Sequence, residues 1–425
     1  MKKVLVTLFS VFALSAYAFA SGFQINEHNA RVTAMGGAFV GLANNASAIY
    51  YNPAGITQLN GTYISLGTTI ISPSSTFTGP VGPLSTESKL KSQIFTPSNF
   101  YFSQSLGSGL YVGLGFNDPF GLGTTWEDNW VGRYRATETE IQTFNFSPVV
   151  AYKVSDQLSV SAGLTVSYAN VLIGRMLETT IAPDAKLELK GNNTAIGYTA
   201  GILYKPTENL GFGAAFHSQI KYDMKGDATT TLDPTTPASI AKFLTPNLPK
   251  GSITAPLTTP MVITVGGSYK ASSDLTLVAD FEYTGWSSYD KLTVTFKDFP
   301  TSAGSVSESV RDYQNVYIIR GGAEYMFNES LALRGGLFYD KNPVKDERLD
   351  PTLPDADRIG LNIGLGYSVT KDLSIDLSYM FLKFSERTIS TSEELVSVGK
   401  KVAYPLNGTY KSSAHLFGVN FNYNF

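Results

Sequence analysis

Residues 158–168 read LSVSAGLTVSY. Leu158, Val160, Ala162, Leu164, Val166 and Tyr168 share one parity, and Ser159, Ser161, Gly163, Thr165 and Ser167 share the other. Successive side chains of a β-strand point to opposite faces, so the stretch is a strand with one apolar and one small polar face. A strand facing bulk water would carry Lys and Glu on its polar side, and this one carries none. Its apolar face runs for about ten residues and ends in an aromatic ring, the dimensions of a tilted membrane-spanning strand.

The same period recurs. Ile359, Leu361, Ile363 and Leu365 alternate with Arg358, Gly360, Asn362, Gly364 and Gly366; Leu373, Ile375, Leu377, Tyr379 and Phe381 alternate with Ser374, Asp376, Ser378 and Met380. The chain closes on Phe417, Val419, Phe421, Tyr423 and Phe425 against Gly418, Asn420, Asn422 and Asn424. Beyond the N-terminus every longer apolar run is broken by charge, as at Arg320 and Asp376, which excludes a bundle of membrane helices. A sheet that spans a bilayer cannot leave edges, because unpaired backbone groups in hydrocarbon cost several kcal/mol each. It must close into a barrel.

One short corner is written five times: YKVSDQL (152–158), YKPTENL (204–210), YKASSDL (269–275), YMFNESL (325–331) and YSVTKDL (367–373). Each reads as a tight periplasmic turn, with its Tyr and Leu facing lipid at the interface and a polar knot reversing the chain. GSG (107–109) is a sixth. Between them the alternation predicts strands near 61–72, 97–106, 110–116, 138–154, 158–172, 193–205, 209–222, 258–270, 275–285, 313–327, 331–340, 358–369, 373–384 and 413–425. The connections at the other end are long: 73–96, 117–137, 173–192, 223–257, 286–312, 341–357 and 385–412. The fold class is therefore all-β, a 14-stranded antiparallel transmembrane β-barrel with short turns on one side and long extracellular loops on the other.

Composition agrees. Charged residues make up 16% of the 425, against 39 Gly, 24 Tyr and 26 Phe, too few charges for a soluble helical protein. A net charge of −3 gives no reason to expect nucleic acid as a partner, and the absence of Cys excludes disulfides and thiolate metal sites. No motif calls for a cofactor. MKK, VLVTLFSVFAL and AFA (18–20) are the parts of a cleavable signal peptide over 1–20, which implies export to the outer membrane. Residues 21–60 are weakly charged and lack alternation. A fourteen-stranded barrel is too wide for its own side chains to fill, so this segment reads as a hatch plugging the lumen, with a periplasmic leader as the alternative. Residues 61–425 form the barrel.

The segment YYNPAGITQL (50–59), with Asn52, Pro53, Ala54 and Gly55, resembles the signature after the N-terminal hatch of the FadL/TodX family of outer-membrane hydrophobe transporters. The stretch from Gly115 to Ala169, DRIGLNIGLGYSVTKDLSIDLSYMF (357–381) and AHLFGVNFNYNF (414–425) are similar to that family's long loop and last strands. The resemblance implies a monomer that takes up long-chain fatty acids or, in some branches, aromatic hydrocarbons. Its partners would be that hydrophobic ligand, outer-membrane lipid and lipopolysaccharide, and the barrel-assembly machinery. It also implies a kink in strand three that opens the wall sideways, carried by position onto Gly113, Gly115, Asn117, Asp118 and Pro119.

Other candidates come from the residues. Phe120, Leu122, Trp126, Trp130 and Val131 make loop 117–137 unusually apolar, and Ile240, Phe243 and Leu244 do the same in a neighbouring loop. Such clusters either capture ligand or pack on one another. Asp280, Glu282, Arg320, Glu324, Arg334 and Asp376 fall on inward parity, as paired lumen charges that anchor the hatch or, for Arg320 and Arg334, as partners of a carboxylate. Phe23 and Ile25 of the hatch would contribute to a lumen site. A general porin would lack the plug. An enzyme would need a base beside a nucleophile, and His28, His217 and His415 stand without a catalytic pattern.

Overall fold

The computed structural model describes residues 22–79, 85–298, 305–393, 395–397 and 403–425. The expected signal peptide lies outside these residues. Strand one is Thr62–Gly79, two Ser98–Gly107, and three Leu110–Asn117 continuing as Gly121–Thr125. Four is Glu138–Lys153, five Leu158–Leu177, six Ala185–Thr207, and seven is Leu210–His217 with Ile220–Thr231. Eight is Gly251–Thr259 with Val262–Lys270, nine Leu275–Thr284, ten Val316–Met326 and eleven Leu331–Asp340. Twelve is Arg358–Ser368, thirteen Leu373–Phe384 and fourteen Gly408–Asn424. Neighbours are antiparallel, and strand fourteen returns to strand one with Phe421 opposite Leu66 and Phe417 opposite Ile70. The barrel is closed.

Parity places the side chains as alternation requires. Leu164, Val166, Tyr168, Ile359, Leu361, Ile363 and Leu365 are exposed where lipid would lie, while Thr165, Ser167, Asn362, Asp376 and Met380 are buried inward. All five corner tyrosines, Tyr152, Tyr204, Tyr269, Tyr325 and Tyr367, are exposed at the turn side.

Four of the five corners share one hydrogen-bond pattern. The third residue donates its N–H to the carbonyl of the closing Leu: Val154 to Leu158, Ala271 to Leu275, Phe327 to Leu331 and Val369 to Leu373. The fourth residue's side chain accepts the Leu N–H, at 3.1 Å for Ser155, 3.1 Å for Ser272, 2.9 Å for Asn328 and 3.0 Å for Thr370. The polar knot is thus a side-chain cap on the turn. The fifth departs because Pro206 occupies the third position and has no N–H to give. There strand six runs on to Thr207, with a register shift after Tyr204. Asn328→Ala should cost about 1 kcal/mol, since the carboxamide also accepts from Ser330 N; the unfolding midpoint of the detergent-solubilised barrel checks it.

The structure corrects the loop expected over 173–192. Strands five and six stay paired up to Leu177 opposite Ala185, so the connection is short and the hairpin rises past the aromatic belt. Strand one likewise extends from the predicted 72 to Gly79. Within the long loop between strands nine and ten, Lys291–Phe296 and Val306–Val310 pair as a hairpin, and Ile253 of strand eight pairs with Phe296.

Residues 22–60 lie inside the barrel. A helix at Ala30–Ala34, capped by the Asn29 side chain on Val32 N, packs on strands one, eleven, twelve, thirteen and fourteen. A 3-10 helix at Pro53–Gln58 packs on strands three to six. Asn52 starts it, its Oδ1 accepting from Ala54 N at 3.2 Å, while its Nδ2 donates to Val40 O and Ile202 O. Gly55 sits against Ala43, where any Cβ would collide with backbone. Asn-Pro-Ala-Gly therefore joins three things at one point: helix start, segment interior and strand six.

Candidate functional site

Two polar clusters tie the internal segment to the wall. Arg31 donates through Nε and Nη2 to the Glu324 carboxylate, both at 2.7 Å. Arg334 donates to the same carboxylate at 2.7 Å and to Asp376 at 2.6 Å. On the other side Asp280 accepts from the backbone N–H groups of Phe39 and Val40. Glu282 there takes Arg320 at 3.2 Å and Gln24 at 2.9 Å. Of the six inward charges read from parity, Glu282 pairs with Arg320, and Glu324 and Asp376 pair with Arg334, while Asp280 is held by the two backbone amides and keeps one oxygen without a partner among the described residues. Arg320 and Arg334 are thus engaged as anchors, which disfavours them as partners of a ligand carboxylate.

The strand-three irregularity begins after Asn117. Gly113 and Gly115 are paired on both sides, with Ser103 and Val149 and with Tyr101 and Ser147, and a Cβ on either would press on Ile49. They make room for the internal segment and leave no opening themselves. The ladder between strands two and three stops at Phe100 opposite Phe116, and Asp118 accepts from Ser98 N at 3.2 Å. Beyond it the free edge of strand three is taken by residues 23–25. Ile25 N donates to Pro119 O and Gly121 N to Phe23 O, both at 2.8 Å, with Gln24 bridged to Phe120.

Above this junction lies a cavity of about 790 Å³, part of it open to solvent. Phe23, Leu122, Ile141, Val171, Ile173, Leu189, Met224, Ile253, Leu257, Tyr289, Leu292, Val294, Tyr313 and Leu353 make its walls apolar. Phe23 meets Trp286 edge-to-face at 4.7 Å, and Tyr289 and Phe120 close around it. Lys190 and Lys225 also border the cavity, but both are exposed, so Arg311 is its buried charged residue. One Arg311 nitrogen, Nη1, donates to Asp350 and, at 3.4 Å, to Thr352 Oγ1; its Nε has no hydrogen-bond partner among the described residues. Arg135 shares Asp350 at 3.3 Å. Burial alone would raise the Asp350 pKa, but these two guanidinium groups hold it down at about 2.

The apolar residues of loop 117–137 are therefore not on the surface. Phe120, Leu122, Trp126 and Trp130 are buried, the two indoles stacked at 4.2 Å, with Trp126 Nε1 donating to Pro351 O and Trp130 Nε1 to Ala136 O. Phe120 and Leu122 reach the cavity region, and the tryptophans clamp loops over it. The helix Ala238–Leu244 has no buried residue; Ile240 and Leu244 are half-exposed, and Phe243 is 66% exposed. Arg311, Tyr289 and Asp350 escaped the sequence reading, because parity says nothing about long connections, and Tyr313 lies just before a strand that begins at Val316 and was expected to begin at 313.

The family described as "Outer membrane protein transport protein (OMPP1/FadL/TodX)" matches residues 11–425. The chain belongs to this family. It is an outer-membrane transport protein and not an enzyme. It is 26% identical to the long-chain fatty acid transport protein of Escherichia coli O6:H1, over 98% of this chain and 97% of that one. To outer membrane protein P1 of Haemophilus influenzae it is 27% identical, over 96% and 95%. The crystal structure of a Pseudomonas aeruginosa FadL homologue superimposes with a TM-score of 0.81 at 22% identity, over 95% of this chain and all of that one. That of the Ralstonia pickettii toluene transporter TbuX does so at 0.69 and 19%, over 94% and 99%. These likenesses establish the fourteen-stranded FadL-type barrel.

In this FadL/TodX family member the internal segment is also held from the loops. Gly22 N donates to Asp355 at 3.0 Å. Burial pushes the Asp355 carboxyl up to about 7, against the lowering influence of Arg358. The folded protein therefore holds this proton more tightly than the unfolded chain, so the contribution is present at low pH and lost as pH rises towards 7. Stability measured from pH 4 to 8 should fall over this window, and Asp355→Asn should flatten the fall.

Proposed function

We propose that this chain takes up hydrophobic compounds, most specifically long-chain fatty acids, across the outer membrane. The observation that carries the reading is an apolar cavity whose buried charged residue is an arginine with an Nε that has no partner among the described residues. An acyl chain would lie among Leu122, Ile141, Val171 and Leu257, and the carboxylate would accept from Arg311 Nε. Ile240, Phe243 and Leu244 offer a first apolar contact outside the barrel. Residues 21–60 act as the hatch. Release follows when the tip, Phe23 to Ile25, leaves the edge of strand three and frees a path where strands two and three part, at Asp118 to Phe120. The full name of the Escherichia coli relative supports this cargo.

Aromatic hydrocarbon is the second reading, favoured by the Phe23, Trp286, Tyr289 and Tyr313 rings and by the toluene transporter likeness. Such a cargo would leave the guanidinium Nε unsatisfied at the edge of the site, which disfavours it. Uptake decides. In cells whose outer membrane lacks other hydrophobe channels, this chain should confer saturable uptake of radiolabelled oleate and little uptake of toluene. The reverse ranking would replace the fatty-acid reading with the aromatic one.

A further inference from the structure

A second break in the wall lies between strands six and seven. Their ladder runs up to Thr199 opposite His217 and resumes only at Asn192 opposite Lys225. Between these points strand seven has one residue more than strand six, and the contacts at the lower end are Ser218 N to Tyr198 O and Tyr198 N to Ser218 Oγ, each 2.9 Å. Residues 193–197 and 219–224 face each other without a pairing. Both strands are held on their far edges: strand six by strand five, with Tyr168 opposite Thr194, and strand seven by strand eight, from Ile220 opposite Thr259 to Ala228 opposite Gly251. On the strand-eight side the ladder is interrupted only at Ser218 and Gln219, between His217 opposite Val262 and Ile220 opposite Thr259.

Side chains close this seam. Ile220, Tyr222 and Met224 point inward and are buried. Ile220 lies over Gly197, where a Cβ would stand 2.7 Å from Ile220 Cγ1. Tyr222 reaches past strand six and donates its hydroxyl to Ser167 Oγ on strand five at 2.6 Å. The strand-three edge, by contrast, is covered by backbone pairing with residues 23–25.

Cavities adjoin the seam from inside. Met224 and Gly191 border the apolar cavity, at the upper end. Ile220 and Ser218 border another of about 410 Å³, at the lower end, which reaches Gln24 and Asn145, whose buried Oδ1 has no partner among the described residues. Outside, Ile196 and Tyr198 are strongly exposed apolar residues, while Lys221, Asp223 and Lys225 are exposed charges. The seam thus sits where the lipid-facing belt gives way to the charged rim, at the depth where amphiphiles partition.

We propose that this seam is a side gate: lipophilic cargo dissolved in the outer leaflet enters the apolar cavity between strands six and seven, with Tyr222 as the bolt. This rests on the transport reading above. Opening requires loss of the Tyr222 to Ser167 hydrogen bond and of the Ile220 packing, without breaking a run of ladder bonds, and at the interface water and headgroups can meet the exposed backbone.

The test uses the absence of native Cys. Ile196→Cys and Lys221→Cys face each other when the register above the break is continued downward. The full-length double variant, expressed in cells without other hydrophobe channels, is assayed for radiolabelled oleate uptake before oxidation, after complete cross-linking, and after reduction. Cross-linking should lower uptake about tenfold and reduction should restore it, as expected for a gating step. Uptake that survives complete cross-linking overturns the gate alone, whereas absence of uptake by the wild type overturns the transport reading and the gate with it. Tyr222→Phe, which keeps the ring and removes the bond, should raise uptake about fivefold; an unchanged rate overturns the bolt.

Discussion

Deleting residues 21–45 should turn a closed barrel into an ion-conducting pore. The fourteen-strand ladder closes without these residues, and the remaining 3-10 helix at Pro53–Gln58 stays packed on strands three to six. What is lost is the filling of the other half of the lumen: the Ala30–Ala34 helix, Arg31 on Glu324, and the Phe39 and Val40 amides on Asp280. A barrel of this strand number has a lumen wider than its own side chains can fill, so water enters once the segment is gone. In planar bilayers the full chain should give no steady open channel and the truncated chain should give large, persistent steps. Equal silence from both would mean that the plugging assigned to residues 21–45 is carried elsewhere, in the loops.

The second large effect is expected at Arg311. Arg311→Met removes that Nε, which has no partner among the described residues, from the cavity wall while Arg135 still holds Asp350, so the loop cluster keeps a partner for its buried anion. A hydrogen bond to a charged group is worth about 1.5–3 kcal/mol, so oleate should bind about ten- to a hundredfold more weakly. Oleyl alcohol, with the same chain and no charge, should bind the wild type and the variant alike. Equilibrium binding to the detergent-solubilised protein measures both. Parallel losses for acid and alcohol would make Arg311 a structural residue and remove the head-group assignment.

How far these features were legible in the sequence follows from what each depends on. The barrel was legible because lipid on one side and a lumen on the other impose a strict two-residue period, and five repeated corners mark where the period restarts. The inward charges were legible for the same reason: Glu324, Arg334 and Asp376 declare themselves by parity alone. Even there, that Arg334 binds both carboxylates depends on register between strands ten, eleven and thirteen, which no single strand contains. Strand lengths were underestimated where strands five and six leave the membrane: Val171, Leu172 and Ile173 interrupt the alternation of strand five, although Ala185, Leu187 and Leu189 still alternate with Lys186, Glu188 and Lys190 in strand six. The cavity was hidden because Phe23, Arg311 and Leu353 come from three connections distant in sequence. From the sequence Gly113 and Gly115 belong to the side opening; that a Cβ on either would press on Ile49 depends on the internal segment, which strand three alone does not contain. The strand-seven seam was not read because a failed pairing depends on the partner strand; within strand seven the inward parity shifts from Gly211 and Ala215 to Ile220 and Tyr222.

What the lumen carries is the decisive observation. The protein should be extracted in mild detergent from cells supplied with mixed lipids, delipidated only by washing, and its bound small molecules identified by mass spectrometry. A long-chain carboxylic acid, close to one per chain and absent from Arg311→Met, is the predicted result. A lumen holding only neutral hydrocarbon, or the same acid at the same occupancy in the variant, would contradict it.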